Sequence, residues 1–178
     1  MSHGKLSMQQ LGRMSVEEFK SSDKTPVVLV LDNIRSMSNI GSVFRTADAF
    51  RLEEIFLCGI TATPPHREIN KTALGATQSV KWQYAESTLE CVNALKAQGY
   101  SVYALEQTEN SIPLQNFAVN RLPLALVLGN EVEGVSQDVI DACGGVIEIP
   151  QFGTKHSFNV SVSCGIVLWE TVKQILIK

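Results

Sequence analysis

The sequence predicts a single α/β domain in which a mostly parallel sheet is flanked by helices. Short continuous apolar runs, typical of strands buried on both faces, alternate along the chain with helical patterns. This alternation indicates parallel strands, because each helix carries the chain back across the sheet. The predicted strands are 27–31, 55–58, 101–105, 124–128 and 146–149. The predicted helices are 39–51, 87–98, 136–143 and 158–176.

The first part of the chain predicts a short helical extension over residues 1–24, ahead of one domain over 25–178. Ser15 and Glu18 have the spacing of a capping box, in which each side chain accepts a hydrogen bond from the other residue's backbone. The extension lacks the basic start, apolar stretch and small-residue cleavage site of a secretory signal, so we expect a cytoplasmic protein.

The composition is that of a globular protein with a core, since 44% of the 178 residues are hydrophobic and 19% are charged. The apolar C-terminal region, 158–177, carries too many polar residues for a membrane span, so we expect no membrane contact there. The cysteines form no CxxC or CxxH pair, which predicts reduced core thiols and no metal site. They are Cys58, Cys91, Cys143 and Cys164.

The net charge of −3 does not by itself indicate a nucleic-acid binder, although ten of the 15 basic residues lie within the first 90. In parallel α/β folds, ligands bind outside the carboxyl ends of the strands. Three segments that follow predicted strands carry motifs that could contribute to such a site.

The first motif is the segment 39–47. We expect Asn39 to cap the helix, with Gly41 and Arg45 together on an exposed face. A ligand could then approach Gly41 beside the Arg45 guanidinium, which suits phosphate or ribose oxygens. The alternative is a capped helix with an ordinary surface arginine.

The second motif is the loop 129–136. Gly129 and Gly134 allow a tight turn, and Ser136 can cap the next helix. Glu131 and Glu133 make the loop acidic, which favours a cationic ligand such as a sulfonium or an amine. The alternative is a structural turn between a strand and a helix.

The third motif is the segment 149–163. A strand ends at Pro150, a loop with Gly153 follows, and we expect a helix to begin near Ser157. Polar residues that enter a buried helix need hydrogen-bond partners, which a ligand or the loop backbone could supply.

Together these motifs resemble the SPOUT class of knotted methyltransferases, specifically the SpoU-like branch that acts on RNA ribose 2′-hydroxyls. The resemblance covers about residues 26–176. The sequence departs from the family's common residues at Gln151, often Met, and at Phe158, usually Leu. The matching positions are Asn39, Gly41 and Arg45; then Gly129, Glu131 and Gly134; then Ile149, Pro150, Gly153, Ser157, Asn159, Val160 and Ser161.

The resemblance implies a deep C-terminal trefoil knot, a homodimer with the last helix at the interface, and S-adenosylmethionine as cofactor. It implies cofactor contacts, largely through backbone groups. The predicted cofactor-binding residues are Leu105, Glu106, Leu128, Gly129, Asn130, Gly134, Ile149, Gln151, Gly153, Ser157 and Phe158.

The resemblance also implies that Arg45 is catalytic, with supporting roles for Asn39, Glu131, Ser157 and Asn159. An arginine is essentially always protonated, so orienting the ribose and stabilising alkoxide charge is the simpler role than acting as a base. Glu131 could support either Arg45 or Asn39. The predicted RNA contacts are Arg35, Arg45, Arg67 and Lys71.

The implied substrate is structured RNA. We favour tRNA over rRNA because only about 25 residues precede the domain, where larger rRNA-directed relatives often carry an RNA-binding domain. A non-catalytic knotted RNA-binding relative is an alternative, but it would lose Arg45 or Asn159. A nucleotide-binding oxidoreductase would show GxGxxG after the first strand, and 27–39 has none.

Overall fold

A parallel sheet of seven strands forms the centre of the computed structural model, which describes residues 3–7 and 9–177. The strand order is β3-β2-β1-β6-β4-β7-β5, and every neighbouring pair is parallel. The strands are β1 Thr25–Asp32, β2 Leu52–Cys58, β3 Trp82–Ala85, β4 Ser101–Leu105, β5 Ile112–Pro113, β6 Leu124–Leu128 and β7 Gly145–Glu148.

Helices cover both faces of this sheet. They are α1 Val16–Ser21, α2 Met37–Ala49, α3 Arg67–Ala73, α4 Ala76–Ser79, α5 Thr88–Ala97, α6 Gln137–Ala142 and α7 Val160–Leu176, with a 3-10 helix at Leu114–Asn116. Strand β1 shows why two layers are needed. Leu29 and Leu31 pack into one core with α2 and α7, and Val30 packs into the other with α5 and α6. Burying each such side chain contributes about 1.5–3 kcal/mol.

All five predicted strands are present, with β1 and β2 starting two or three residues earlier than predicted. The prediction missed β3 and β5. Strand β3 lies at the sheet edge with half-buried or exposed side chains, and β5 has only two residues, so neither has a buried apolar run. No helix was predicted between the strand 55–58 and the helix 87–98, but the chain forms α3 and α4 there.

Two predicted helix starts were wrong. Helix α2 begins at Met37, because the Ser36 side chain caps it by accepting from the backbone N–H of Asn39. Asn39 therefore lies inside the first turn and does not cap the helix. Helix α7 begins at Val160 rather than near Ser157, because Asn159 is its cap and accepts from the Ser161 backbone N–H.

The N-terminal extension contains the predicted capping box. The Ser15 hydroxyl accepts from Glu18 N at 3.2 Å, and the Glu18 carboxylate accepts from Ser15 N at 2.7 Å. The resulting helix α1 is anchored to the core by the buried ring of Phe19.

The four cysteines are free thiols, three of them buried and Cys143 half-buried. Burial raises the pKa of Cys164 to about 12, which keeps that thiol protonated. Within 3–7 and 9–177, no helix has the length and apolar character needed to cross a membrane.

Gly41 is required for helix packing, which corrects the expectation that a ligand approaches it. A Cβ at Gly41 would lie 2.1 Å from Thr72 Oγ1 and 2.2 Å from the Ile69 carbonyl oxygen, so helix α3 occupies the space. The Thr72 hydroxyl also donates to the Ser38 carbonyl at 3.0 Å.

We expect Gly41→Ala to lower the free energy of unfolding by about 1–3 kcal/mol, because α3 must move away from α2. Gly165→Ala is the matched control, since a Cβ in the middle of α7 meets no atom within 4 Å. The control should be neutral or slightly stabilising, because alanine favours helix over glycine. Urea unfolding of both variants checks this, and equal stability of the two would contradict the packing role.

Candidate functional site

A cavity of about 480 Å³ lies beyond the carboxyl ends of β4, β6 and β7, at the edge where the sequence places the ligand. Its walls come from the end of β4, the loop after β6, the segment after β7 and the start of α7. The lining residues are Leu105, Glu106, Gln107, Leu128–Gly134, Ile149, Gln151, His156–Val160 and Ser163.

The loop after β6 is closed on itself. Asn130 and Gly134 exchange backbone hydrogen bonds at 3.1 and 3.0 Å, and the Asn130 side-chain oxygen accepts from the backbone N–H groups of Val132 and Glu133. Gly129 lies against the returning chain, where a Cβ would be 2.1 Å from Val135 N. The loop is therefore a fixed wall of backbone groups.

Gly134 has a φ of +70°, and a Cβ there would lie 2.1 Å from a Glu106 carboxylate oxygen. That carboxylate accepts from Val135 N at 3.1 Å and from Gln107 N at 2.8 Å. Glu106 thus connects the end of β4 to the loop after β6. The two predicted glycines allow close backbone packing, as their positions in the motif indicated.

Three side chains that the sequence assigned to the site form one hydrogen-bonded chain, which we call the clasp: Glu131, Asn39 and Asn159. Asn39 Nδ2 donates to Glu131 Oε1 at 3.0 Å, and Asn159 Nδ2 donates to Asn39 Oδ1 at 3.0 Å. The clasp joins the loop after β6, the first turn of α2 and the cap of α7.

The Glu131 carboxylate also accepts from the backbone N–H groups of Arg35 and Ser36, both at 3.1 Å. It therefore occupies the amino end of α2, where the helix dipole favours negative charge. Partial burial opposes ionisation, but these bonds and the one from Asn39 outweigh it and lower the pKa of Glu131.

We expect Glu131→Gln to destabilise the protein at neutral pH by roughly 1 kcal/mol, the scale of a solvent-screened charged hydrogen bond. Because folding lowers the Glu131 pKa, the carboxylate stabilises the fold at pH above its unfolded value of 4.5. That advantage over the variant is lost as the pH falls through the folded pKa. Urea unfolding at several pH values measures the difference.

Glu133→Gln is the matched control for that series, since Glu133 lies in the same loop and its carboxylate, unlike that of Glu131, forms no hydrogen bond with a described residue. The free energy of unfolding of this control should equal that of the wild-type protein at each pH. A pH-independent gap between wild type and Glu131→Gln would contradict the role of the charge.

The cavity is acidic and partly apolar. Its described lining includes the carboxylates of Glu106, Glu131 and Glu133 but no lysine or arginine. Apolar wall is supplied by Leu105, Leu128, Ile149, Phe158 and Val160. Such a site favours a cationic ligand with a flat apolar part and disfavours a phosphate.

The structure brings together all of the predicted cofactor-binding residues except Gly153. Gly153 does not line the cavity and a Cβ there would meet no atom within 4 Å, because the segment around it is exposed to solvent. The cavity also includes residues that the prediction missed. Gln107 Nε2 donates to the His156 carbonyl at 2.8 Å and closes one side. Gln107 follows the predicted strand 101–105 by two residues, and this position at the ligand-binding edge of the sheet was the indication in the sequence.

Arg45 lies apart from this cavity. It is six residues beyond Asn39 on α2, about 9 Å along the helix axis. Arg45 is exposed, and it lines a second cavity beside the N-terminal extension. Of the two partners that the sequence allowed for Glu131, the structure has Asn39.

The remaining predicted RNA contacts are exposed, as a surface role requires. Arg35 precedes α2, and Arg67 and Lys71 lie on α3.

The helix α3 is capped by the side chain of His66, which accepts from Glu68 N at 3.2 Å. Ser136 occupies the cap position of α6, but its side chain makes no capping hydrogen bond.

Asp32, at the end of β1, is a buried carboxylate that the sequence analysis missed. It accepts from the Thr88 hydroxyl at 2.6 Å, from Asn33 Nδ2 at 2.8 Å and from Ser136 N at 3.2 Å. It joins β1 to the starts of α5 and α6 behind the cavity.

Among the residues that the structure describes, no group of three or more His, Cys, Asp or Glu could hold a metal ion.

The parallel sheet, the glycine-rich acidic loop and the cavity at the carboxyl edge define an α/β protein with a ligand-sized cavity where its strands end. The sequence pattern of the SpoU rRNA Methylase family matches residues 26–169, and the chain belongs to this family.

Two relatives are each 30% identical to this chain. The 23S rRNA (guanosine-2′-O-)-methyltransferase RlmB of Vibrio parahaemolyticus aligns over 94% of this chain and 67% of its own length. An uncharacterized tRNA/rRNA methyltransferase of Borreliella burgdorferi aligns over 90% and 69%. The chain spans 60 to 69% of the length of the curated relatives it matches.

Solved structures show the same fold. The AdoMet-bound rRNA methyltransferase from Sinorhizobium meliloti is 27% identical and superposes with a TM-score of 0.80, over 88% of this chain and 59% of that one. The A. aeolicus TrmH/SpoU tRNA modifying enzyme has a TM-score of 0.79 at 23% identity, over 89% and 80%.

Proposed function

We propose that this chain is an S-adenosylmethionine-dependent methyltransferase that acts on a ribose 2′-hydroxyl of RNA. The observation that carries the proposal is the acidic cavity built from the second and third family motifs. Family membership and the names of the relatives support it, since RlmB is named for this reaction on 23S rRNA.

The residues present fit the cofactor. The carboxylates of Glu106 and Glu133 give the cavity the charge that a sulfonium and an amino group favour, and the clasp holds the third carboxylate. Gly129 and Gly134 let the loop pack against the returning chain and against Glu106, where a Cβ would clash, and so hold the loop backbone in the wall of the cavity. Leu105, Ile149 and Phe158 would contact the flat adenine ring. When bound, the cofactor supplies an electrophilic methyl group.

The chain's own residues would position the ribose and manage its proton. Aligning the attacking oxygen with the methyl group can contribute several kcal/mol, about 7–11 in favourable cases. Ser157 lines the cavity and could donate a hydrogen bond to the substrate. Arg45 would orient the ribose and stabilise the developing alkoxide, as its permanent charge favours. The clasp holds the first turn of the helix that carries Arg45.

The proposed substrate is structured RNA, with tRNA as the first candidate and rRNA, the substrate for which the RlmB relatives are named, as the second. A cytoplasmic location belongs to the same proposal.

A homodimer is part of the proposal. Helix α7 exposes Val162, Trp169 and Leu176, which are 49%, 54% and 50% exposed and follow one another at seven-residue intervals. Such spacing places them along one face of the helix. An exposed apolar stripe is typical of an interface between protein chains.

The trefoil knot also belongs to the proposal. Two strands, β6 and β4, separate β7 from β1 in the sheet, yet α7 packs against β1 and α2. The chain must therefore return across these strands after β7, which is consistent with the threading that the family implies.

Two measurements test the proposed function. Titration with S-adenosylmethionine by calorimetry should give saturable binding that is weakened when Glu106 is replaced by Gln. Mapping 2′-O-methyl groups in RNA from cells with and without the gene should reveal one missing modification, in tRNA or in rRNA. An absence of both cofactor binding and any missing modification would refute the proposal.

A further inference from the structure

The cavity that contains Arg45 has a volume of about 660 Å³ and lies between three parts of the chain. One wall is the extension over 12–19, a second is the end of α2, and a third is the turn over 73–79. The first wall contributes Arg13, and the second contributes Arg45 and, just beyond the helix, Arg51. We call this cavity the arginine cleft, after Arg13, Arg45 and Arg51.

The arginine cleft has a charge opposite to that of the acidic cavity. Its described lining contains one carboxylate, that of Asp48, which accepts a hydrogen bond from the Ser79 hydroxyl. None of the three guanidinium groups forms an ion pair with a described residue, since the two ion pairs found there involve other side chains. Three planar sets of donors are thus available to an anion, and their geometry matches phosphate.

The walls of the cleft are held in place. Arg51 has a φ of 51°, its N–H donates to the Asp48 carbonyl at 3.0 Å and its carbonyl accepts from Thr25 N at 2.8 Å. Leu74, across the cleft, has a φ of 50°. These are two of the three described non-glycine residues with positive φ, a conformation that persists only where surrounding contacts impose it. The extension is fixed by the buried Phe19 and by its capping box.

We propose that the arginine cleft binds phosphodiester groups of the RNA strand that leads to the target ribose, and that residues 12–19 are therefore a substrate-binding element. The identity of the ligand as RNA rests on the proposed function. The positive charge of the cleft, its shape and the fixed position of its walls are features of the fold and do not depend on that function. Arg45, to which the proposed function assigns the reacting ribose, would contact the part of the strand nearest that ribose, and Arg13 and Arg51 would bind it further along.

The test compares Arg13→Ala, Arg51→Ala and the double variant with the wild-type chain. The probe is a pool of unmodified tRNA transcripts, and binding is measured by fluorescence anisotropy between about 50 and 200 mM salt. Each substitution should weaken binding about tenfold, the scale of one charge-assisted contact. It should also reduce the salt dependence, the slope of log K against log salt, by about one.

Arg121→Ala is the matched control, because Arg121 is exposed in the segment before β6 and lines none of the described cavities. It should bind RNA as the wild type does. Arg13→Lys and Arg51→Lys should keep the wild-type salt slope with only part of the affinity lost, since lysine retains the charge without the fork. If an alanine variant does not fold, the two lysine variants test the proposal in its place.

The outcomes separate the cleft from the proposed function. A double variant that binds RNA with wild-type affinity and salt slope would refute RNA binding by the arginine cleft, even if the protein methylates RNA. A protein that binds RNA through these arginines, but neither binds S-adenosylmethionine nor methylates, supports the cleft and overturns the proposed function. Cofactor affinity should be the same in all arginine variants, because none of the three arginines lines the acidic cavity.

Discussion

Arg45→Ala should reduce methyl transfer about a thousandfold while the dissociation constant for S-adenosylmethionine stays within twofold of wild type. The loss follows from removing a charged donor that acts on the developing alkoxide, a contribution of about 100- to 1000-fold for one such group. The unchanged cofactor affinity follows from the structure, since Arg45 lies outside the acidic cavity.

Single-turnover transfer of labelled methyl groups to RNA, at saturating RNA, measures the chemical step separately from binding. Arg45→Lys should recover little of the rate, because lysine keeps the charge but not the two-pronged donor. Arg121→Ala should react like the wild type. Substantial turnover by Arg45→Ala would refute the catalytic assignment, and a large loss of cofactor affinity would refute the placement of Arg45.

Gly129→Ala should weaken S-adenosylmethionine binding at least about a hundredfold, which corresponds to roughly 2.7 kcal/mol. The new Cβ would lie 2.1 Å from both the Gly134 carbonyl carbon and Val135 N. Both atoms are backbone, so no side-chain rotation can relieve the overlap and the whole loop must shift. Calorimetric titration measures the affinity, and circular dichroism verifies that the sheet is intact.

Gly153→Ala provides an informative comparison for Gly129. Both glycines belong to motifs of the family, but only Gly129 lines the cavity, so we expect Gly153→Ala to bind the cofactor nearly as the wild type does. Equal losses in the two variants would contradict the cavity boundary described here.

The strands and the site's location follow from local patterns in the sequence. Apolar runs such as 124–128 predict buried strands, because apolar side chains on both faces of a strand can be buried only between two layers of helices. The loops after those strands then predict the edge at which the cavity lies. Strands β3 and β5 could not be predicted in this way, because an edge strand or a two-residue strand buries too few apolar side chains to produce an apolar run.

The partners of individual side chains were harder to predict, because they depend on contacts between distant residues. Asn39 contacts Glu131 and Asn159, which are 92 and 120 positions away. Its sequence context suggested a helix cap, but Ser36 fills that role. Gly41 and Arg45 share a motif, yet one packs against α3 and the other faces the extension. The linear motif gave no indication of this separation.

The clasp has a consequence for how two ligands would influence each other. Its carboxylate belongs to the loop that walls the acidic cavity, and its bonds hold the amino end of the helix whose later turns reach the arginine cleft. These hydrogen bonds are the contacts through which a displacement of that loop would reach the helix. Thermodynamic linkage requires any such effect to be mutual. Whatever factor an occupied arginine cleft applies to affinity at the acidic cavity, occupation of the acidic cavity applies equally to affinity at the cleft.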